Sequence, residues 1–415
     1  MTRPQLLVLA LSSGLLAASV PVSAQSNTSE PGLHSLFVAA GKQYFGTATE
    51  TNNFNDAPYL AILNDPNEFG QITPENSQKW EITQPRQGQF VFNNSDMVAA
   101  KAKTNKQILR CHTLTWHSQL PSFVTATSWT PSTLRAVLQT HLTNVITHFR
   151  GACSHWDVVN EALAETGEYR PSVFFNVLGE SYIPLSFSIA ASASANDPIK
   201  PKLYYNDYNT ELFPQKTEGA LRIVKLIQSS AASGARIDGV GFQSHLTVGK
   251  TPSQAALAST YQSFTALGVE VALTELDIAH PSLPATDADR EQQAKDYVAV
   301  VGACLAVDKC VGVTLWQFTD KYSWIPGIFP GTGDACLWTA DYKKKPAYFA
   351  VRQLLESAAG GAGTTTTTTG SGAAVTVSTA SSLATNNKDA TGLRFTTILF
   401  KVSVAVLFSM CVLIK

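Results

Sequence analysis

The 415-residue sequence has no marked excess of either charge, with 31 acidic and 30 basic residues and a formal net charge of −1. It therefore lacks the basic stripe that binds phosphates, and nucleic acid is excluded as an expected partner. Its six cysteines form neither a CxxC motif nor a Cys/His zinc spacing, so we predict no metal site. No residue-level repeat with a period of about 20 to 50 is present, which argues against a solenoid or propeller.

The N-terminus has the features of a secretion signal. Arg3 precedes an apolar run from Leu6 to Ala18, and the small-residue pattern Val22-Ser23-Ala24 follows it. We predict a signal peptide over residues 1–24 and hence a secreted, extracellular protein. The alternative is a buried first helix, but the run is too short to span a bilayer and the small-residue exit favours cleavage.

The C-terminus ends in an apolar segment, Phe395 to Ile414, which is about as long as a membrane span and is interrupted by Lys401. Small residues from Ala380 to Ala384 and a polar stretch from Asn386 to Arg394 precede it. This order predicts a glycosylphosphatidylinositol (GPI) attachment signal over residues 393–415, with the mature protein attached to the membrane or cell wall by a lipid anchor. An ordinary single-pass anchor is the alternative.

Residues 359–392 are rich in Gly, Ala, Ser and Thr and include six consecutive threonines, Thr364 to Thr369. Such a composition buries too little apolar surface to offset its ordering entropy, so we predict an extended, O-glycosylated stalk. Asn27 and Asn93 lie in Asn-x-Ser/Thr sequons and are the predicted N-glycosylation sites.

Between the two ends, short apolar runs alternate with longer helical patterns, as in repeated βα units. We assign residues 25–358 to one catalytic domain and predict an α/β fold, a (β/α)8 TIM barrel, acting as a monomer. The helical patterns are clearest over residues 133–149, 216–230, 288–307 and 347–357. The eight predicted strands are 44–47, 71–73, 108–115, 155–159, 203–205, 240–243, 269–274 and 313–316.

Polar and aromatic residues follow the predicted strands, where barrel enzymes place their active sites. Two of them, Glu161 after strand four and Glu275 after strand seven, supply the carboxylate pair that glycosidic bond cleavage requires. Tryptophans suit the C–H faces of a sugar, and amides bind its hydroxyls. Taken singly, a strand-end Glu is usually solvated or a helix N-cap, and a barrel Trp is often part of the core. The convergence of six strand ends favours the catalytic reading.

Eight motifs occur in order along the predicted barrel: ITPENSQKWE (72–81), RCHTLTWHSQLP (110–121), HWDVVNEAL (155–163), LYYNDYN (203–209), GVGFQSHL (239–246), ALTELDI (272–278), GVTLWQFTDKYSW (312–324) and KPAY (345–348). With these motifs the sequence resembles glycoside hydrolase family ten, mostly endo-β-1,4-xylanases and fungal ones in particular, over roughly residues 33 to 357. It departs modestly from the family at Gln78, where many relatives have an apolar residue, and at the unusual Cys336-Leu337-Trp338.

The resemblance implies a retaining xylanase in which Glu161 is the acid/base and Glu275 the nucleophile, with no cofactor. It also implies that His245 and Asp277 support the nucleophile and that Asn160 binds the 2-hydroxyl at the cleavage point. Tyr205 and Asn206 would lie toward the aglycone side. The glycone subsites would be lined by Glu75, Asn76, Lys79, His112, Trp116, Gln243, Trp316 and Trp324.

Two rival functions remain open from the residues. One is a catalytically silent carbohydrate-binding wall protein, which the two intact carboxylates disfavour. The other is a barrel glycosidase with a different substrate, such as a β-1,4-glucanase. Against this alternative, the resemblance implies that the loop carrying Trp316 and Trp324 should crowd the hydroxymethyl group that glucose has and xylose lacks.

The cysteine positions predict two disulfides in a secreted chain. Cys304 and Cys310 flank a short loop, and Cys111 and Cys153 stand on the adjacent strands three and four. Cys336 would then be the free thiol, because Cys411 lies in the segment that the anchor signal removes.

Overall fold

A computed structural model describes residues 30–362 and shows eight parallel strands closed into a barrel. Each strand pairs with the next along the chain, and the last pairs with both the seventh and the first, so no edge remains open. The predicted (β/α)8 fold is confirmed. The strands are β1 Tyr44–Thr49, β2 Gln71–Pro74, β3 Ile108–Cys111, β4 Cys153–Asn160, β5 Lys202–Asp207, β6 Gly239–Phe242, β7 Glu270–Ala279 and β8 Cys310–Leu315.

The third predicted strand is shorter than the sequence pattern suggested. It ends at Cys111, and a separate two-residue strand, Thr115–Trp116, pairs with β4. Between them the backbone leaves the ladder, because the His112 N–H donates to Gln78 Oε1 (3.1 Å) instead. A second short strand, His245–Thr247, extends the β6 end of the barrel and pairs with β7.

Helices surround the strands and begin at recognisable caps. In α6 and α11 a threonine N-cap, Thr130 or Thr286, forms a capping box with the residue three positions later. Short 3₁₀ helices cover Thr51–Asn55, Gly179–Ser181, Ala231–Ser233 and Asp320–Tyr322. The α-helices are α1 Leu33–Ala39, α2 Ala57–Leu63, α3 Trp80–Thr83, α4 Asn93–Asn105, α5 Ser122–Thr125, α6 Pro131–His148, α7 Val173–Leu178, α8 Tyr182–Ala193, α9 Pro214–Ser229, α10 Gln254–Thr265, α11 Asp287–Leu305, α12 Ile325–Ile328 and α13 Pro346–Ala362.

The stretch Val173–Ala193 is the one part of residues 30–362 that is long and apolar enough to cross a membrane. Its second half, α8, buries Ile183, Phe187 and Ala190 and packs against α6 and β4. It is therefore a helix of the barrel wall. The predicted signal peptide, Asn27, residues 363–392 of the predicted stalk and the anchor signal lie outside the described residues. The predicted start of the stalk at residue 359 is wrong, because α13 continues to Ala362.

Both predicted disulfides are confirmed. Cys111 pairs with Cys153 across β3 and β4, with Cα atoms 5.7 Å apart, and Cys304 pairs with Cys310, with Cα atoms 5.2 Å apart. Cys336 is a buried free cysteine, as predicted. The first disulfide connects the two strands that lead to His112 and Glu161.

Aromatic rings and buried charges fill the barrel interior. The rings of Tyr44 and Tyr204 occupy the space above two strand glycines, Gly312 and Gly239. A Cβ atom there would lie 2.1 Å from the Tyr44 ring and 2.3 Å from the Tyr204 ring. The Arg110 guanidinium stacks on Tyr204 at 4.4 Å. Glycine at these positions allows bulky rings in the barrel, as close approach requires.

Gly239→Ala should destabilise the protein by about 1–3 kcal/mol, because the new methyl group overpacks against the Tyr204 ring. Gly327→Ala is the matched control, since a Cβ there meets no atom within 4 Å. Urea unfolding of both variants measures the difference. Equal free energies of unfolding for wild type and Gly239→Ala would contradict this account of the interior.

Candidate active site

Glu275 lies on β7 at the C-terminal end of the barrel and is 5% exposed. Each of its carboxylate oxygens has a partner: Oε1 accepts a hydrogen bond from Asn206 Nδ2 (2.8 Å), and Oε2 lies 3.2 Å from His245 Nε2. One carboxylate of the predicted pair is therefore held from two sides, which fixes the orientation of its oxygens.

His245 lies between two carboxylates. Its Nε2 faces Glu275, and its Nδ1 lies 3.0 Å from Asp277 Oδ2, which also accepts a hydrogen bond from Trp324 Nε1 (2.9 Å). Burial alone would lower the pKa of His245, but the negative charges of Asp277 and Glu275 outweigh it and raise the pKa to about 10. His245 is therefore a cation at neutral pH, with one ring nitrogen near each carboxylate.

Glu161 directly follows β4 and has a left-handed backbone, with φ of 55°. Its N–H donates to the carbonyl of Asn206 (2.9 Å), and its carbonyl accepts from Arg170 Nε (3.2 Å). Side-chain Oε1 accepts hydrogen bonds from Gln243 Nε2 (3.0 Å) and Asn160 Nδ2 (3.3 Å). The surrounding contacts thus determine a conformation that is costly for a residue with a Cβ.

Opposing influences act on the pKa of Glu161. Burial raises it, whereas positive charge on His117 and the hydrogen bond from Gln243 lower it, and the lowering effects are larger. Burial also lowers the pKa of His117 itself to about 4. Near neutral pH the His117 ring is therefore uncharged, so its charge no longer opposes protonation of Glu161. The two glutamates therefore differ in the charge of the neighbouring histidine: a cation faces Glu275 and a neutral imidazole faces Glu161.

Three amide side chains connect the two glutamates. Gln243 Nε2 donates to both Glu161 Oε1 (3.0 Å) and Asn160 Oδ1 (3.2 Å). Asn206 Nδ2 donates to the same Asn160 oxygen (2.9 Å) and to Glu275 Oε1 (2.8 Å). The side chains of β4, β5 and β6 therefore form one continuous hydrogen-bond chain between the carboxylates, although the sequence separates them widely.

The ends of β2 and β8 form a second polar group. Gln317 Nε2 donates to Glu75 Oε2 (2.7 Å), and Lys79 Nζ donates to Asn76 Oδ1 (2.8 Å). Lys79 Nζ also lies 5.0 Å from the centre of the Trp116 ring. Burial raises the pKa of Glu75 and lowers that of Lys79, and the attraction between their charges opposes both shifts.

Aromatic and imidazole rings pack beside these groups. The His112 ring lies 5.4 Å from Trp316, and the His245 ring lies 5.0 Å from Trp324. His112 Nδ1 is 3.1 Å from Asp157, which also pairs with the Arg110 guanidinium of the barrel interior. The structure thus brings together every residue predicted for the site except Tyr205.

Tyr205 does not face the cleft. Its neighbour Asn206 points to the glutamates, whereas Tyr205 points to the opposite side of β5, is fully buried, and donates its hydroxyl proton to Asp207. Side chains alternate along a strand, so two adjacent residues of β5 cannot both face the cleft. The predicted aglycone position of Tyr205 therefore lacks support from the geometry. Tyr208 is linked to Glu161 instead, because its hydroxyl accepts a hydrogen bond from Arg170 Nη2 (2.7 Å) and Arg170 Nε donates to the Glu161 carbonyl.

Several contributing residues were absent from the predicted site. Glu50 follows β1, and its Oε2 accepts hydrogen bonds from the N–H groups of Asn76 (2.9 Å) and Ser77 (2.8 Å), which hold the β2 loop. Its position directly after a strand, like that of the predicted site residues, could have identified Glu50 from the sequence. Arg170 and Lys216 lie in a loop and a helix away from any strand end. Only tertiary packing shows that Lys216 Nζ sits 3.6 Å from the Tyr208 ring.

The closed parallel barrel with two differently supported carboxylates at its C-terminal end defines a barrel enzyme of the glycoside hydrolase class. The sequence model of glycosyl hydrolase family 10 matches residues 32–354. The chain belongs to this family.

Named relatives agree with this membership. The chain is 54% identical over 353 residues to endo-1,4-beta-xylanase 5 of Pyricularia oryzae, covering 83% of this chain and 85% of the relative. It is 51% identical over 346 residues to endo-1,4-beta-xylanase 1 of Humicola insolens, covering 83% and 77% of the two chains. The solved structure of Penicillium canescens endo-1,4-beta-xylanase XylE is similar, with a TM-score of 0.75, 39% identity and coverage of 79% and 98%.

The cation on His245 predicts a pH-dependent stability. Its folded pKa of about 10 lies above the ordinary 6.5, so its contribution is full below about pH 6.5 and is lost as the pH rises through 10. The difference in free energy of unfolding between wild type and His245→Gln should therefore be largest near pH 6 and shrink toward pH 10. Urea unfolding at several pH values measures it.

His141→Gln is the control for this pH series. His141 is also buried, but burial lowers its pKa well below 6.5, so its ring is neutral throughout the range. The stability difference that this variant causes should not change between pH 8 and 10, where the ring is neutral in both the folded and the unfolded chain, whereas the His245→Gln difference still falls in that range. A His245→Gln difference that is equally constant would show that His245 is not a cation in the folded protein.

Proposed function

We propose that this protein is a retaining endo-1,4-β-xylanase that hydrolyses internal β-1,4-xylosidic bonds of xylan. The observation that carries the proposal is the pair of glutamates at the C-terminal end of the barrel. One chain of amides joins them, the cation of His245 faces Glu275, and the neutral ring of His117 faces Glu161. Family 10 membership and the names of the relatives support xylan as the substrate. No cofactor takes part.

In the first step, the ionised Glu275 attacks the anomeric carbon while Glu161 donates its proton to the leaving oxygen. The bond to the aglycone breaks and a glycosyl ester of Glu275 forms. In the second step, Glu161, now a carboxylate, takes a proton from water, whose oxygen displaces Glu275. Two inversions give net retention.

The surroundings suit these roles. Cationic His245 lies 3.2 Å from Glu275, the carboxylate that attacks. Glu161 faces the neutral His117, and substrate that covers its partly exposed carboxyl group adds desolvation, which favours the protonated donor. The two glutamates therefore have different environments, as the roles of acid and nucleophile require.

The remaining residues of the cleft either bind the sugar or support the two glutamates and His245. Asn160, between the two glutamates, binds the 2-hydroxyl of the sugar at the cleavage point, and Asn206 orients Glu275. Gln243 supports Glu161, and Asp277 supports His245. Glycone hydroxyls and sugar faces are bound by Glu75, Asn76, Lys79, His112, Trp116, Trp316 and Trp324.

A single comparison tests the substrate. The enzyme should release reducing sugar from xylan and little or none from carboxymethylcellulose. A preference for carboxymethylcellulose would indicate a β-1,4-glucanase, and binding to xylan without release of sugar would indicate a silent carbohydrate-binding protein.

Replacing each of the two glutamates by alanine should impair different steps of the reaction. Glu275→Ala should abolish turnover of every substrate, because no glycosyl-enzyme can form. Glu161→Ala should lose roughly 10²- to 10⁴-fold on xylan, whose leaving group needs a proton. On an activated aryl xylobioside, Glu161→Ala should form the glycosyl-enzyme readily and accumulate it, because no base activates water. Burst kinetics and intact mass of the enzyme measure this.

Azide provides the control for this assignment. Azide should restore turnover of Glu161→Ala and yield a β-glycosyl azide, the product of two inversions. An α-azide, or equal damage from the two substitutions on the activated substrate, would mean that the roles or the stereochemistry are wrong.

We further propose that the enzyme is secreted as a monomer, attached to the cell surface by a GPI anchor behind a glycosylated stalk. The order of segments at residues 1–24, 363–392 and 393–415 supports this. Asn27 and Asn93 are the proposed N-glycosylation sites. Asn93 is exposed at the first residue of α4, which leaves it accessible to modification.

Phospholipase treatment of intact cells tests the anchor. Cleavage of the lipid should release xylanase activity into the medium, because only the lipid would hold the mature protein. Recovery of a peptide spanning residues 395–414 from membranes that retain the activity would show a spanning helix instead. A version that ends at residue 392 is the control and should appear in the medium without treatment.

A further inference from the structure

The segment Gln243-Ser244-His245 carries partners of both glutamates. Gln243 binds Glu161, and His245 binds Glu275. Between them Ser244 is fully buried and has a left-handed backbone, with φ of 61°. A serine holds this conformation only where its surroundings determine it, so something beneath Ser244 must support the turn.

Glu211, in the loop between β5 and α9, lies beneath this turn. It is 7% exposed, and both of its carboxyl oxygens are buried without a hydrogen bond of good geometry. The groups that they face are the Ser244 hydroxyl and the N–H of Glu211 itself. The hydroxyl of Tyr261, on α10, is also buried there, without a well-aligned partner, and faces Ser244 and Glu211.

Two cations approach Glu211, but the charges of both are already balanced. Lys216 Nζ lies 3.1 Å from Asp207 and 3.2 Å from Glu165, and His245 lies between Glu275 and Asp277. An ionised Glu211 would therefore be a buried charge with no counterion of its own, which is costly. Burial accordingly raises the pKa of Glu211, and this effect is larger than the opposing effects of its own N–H, Ser244, Lys216 and His245.

The direction of the hydrogen bonds agrees with a neutral carboxyl group. The Ser244 hydroxyl donates to the carbonyl of Phe242 at 3.4 Å, which leaves its oxygen free to accept. A protonated Glu211 can donate to that oxygen, whereas a carboxylate can only accept. An ionised Glu211 would also compete with Glu275 and Asp277 for the charge of His245.

We propose that Glu211 is a positioning residue for the xylanase reaction: as an uncharged carboxylic acid beneath Ser244, it holds the turn that aims Gln243 at Glu161 and His245 at Glu275. It touches neither substrate nor reacting atoms. This inference rests on the proposed function, because its effect is measured on the same two glutamates.

Two substitutions separate the shape and donor of Glu211 from its charge. Glu211→Gln keeps the shape and a donor, so its kcat on xylan should remain within about twofold of wild type. Glu211→Leu keeps the volume but removes the donor, so its kcat should fall on the order of tenfold to hundredfold, with KM changed by less than about twofold. Rescue by glutamine distinguishes positioning by a neutral group from a requirement for charge.

Glu68 supplies matched controls. It is also 7% exposed, has one carboxyl oxygen without a partner, and has a pKa raised by burial. Its contacts are with Tyr348 on α13 (3.1 Å) and Lys344 (3.9 Å) rather than with any residue of the cleft. Glu68→Gln and Glu68→Leu should leave kcat unchanged, even where they lower the midpoint of thermal unfolding.

A measurement independent of activity tests the protonation state. In wild type labelled with ¹³C at the glutamate carboxyl carbons, the signal that Glu211→Gln removes should have the shift of a neutral acid at about pH 5.5, above the ordinary glutamate pKa. The proposal is overturned by a carboxylate shift there, by Glu211→Gln as impaired as Glu211→Leu, or by a folded Glu211→Leu with wild-type kcat. If Glu211→Leu does not fold, the glutamine variant and the carboxyl signal decide. Wild type inactive on xylan would instead refute the proposed function.

Discussion

The chain of amide hydrogen bonds between Glu161 and Glu275 is the interaction on which the site depends. Gln243, Asn160 and Asn206 come from three neighbouring strands, and each amide contacts the next. A closed barrel keeps these strands in register, because every strand is paired on both sides. The carboxylates are therefore positioned by backbone pairing that the amides transmit to the side chains.

Charge distinguishes the two glutamates that the amides connect. His245 is held as a cation by Asp277 and Glu275, whereas His117 is kept neutral by burial. Histidine is thus a cation beside one glutamate and neutral beside the other. Neither charge state follows from histidine itself, whose ordinary pKa near 6.5 allows both.

The barrel interior combines packed aromatic rings with a chain of buried polar groups. Near the start of the strands, Tyr44 and Tyr204 fill space that strand glycines leave open, and Arg110 stacks on Tyr204. Arg110 pairs with Asp157, which in turn contacts His112 at the cleft. A buried polar column thus connects the packed base of the barrel to the site, although Arg110 Nε and Nη1 and the Tyr44 hydroxyl have no well-aligned hydrogen-bond partner within the described residues.

The sequence by itself determined the fold class, both disulfides and most of the cleft, because alternating βα patterns and strand-end motifs are local signals. It placed both Tyr205 and Asn206 at the cleft, whereas adjacent residues of a strand face opposite sides, and only the contacts of Asn206 with Asn160 and Glu275 showed which of the two faces inward. Arg170, Lys216 and Glu211 also required the tertiary structure. Their contacts join segments that are distant in sequence, and the charge state of a buried group depends on neighbours that folding alone brings together.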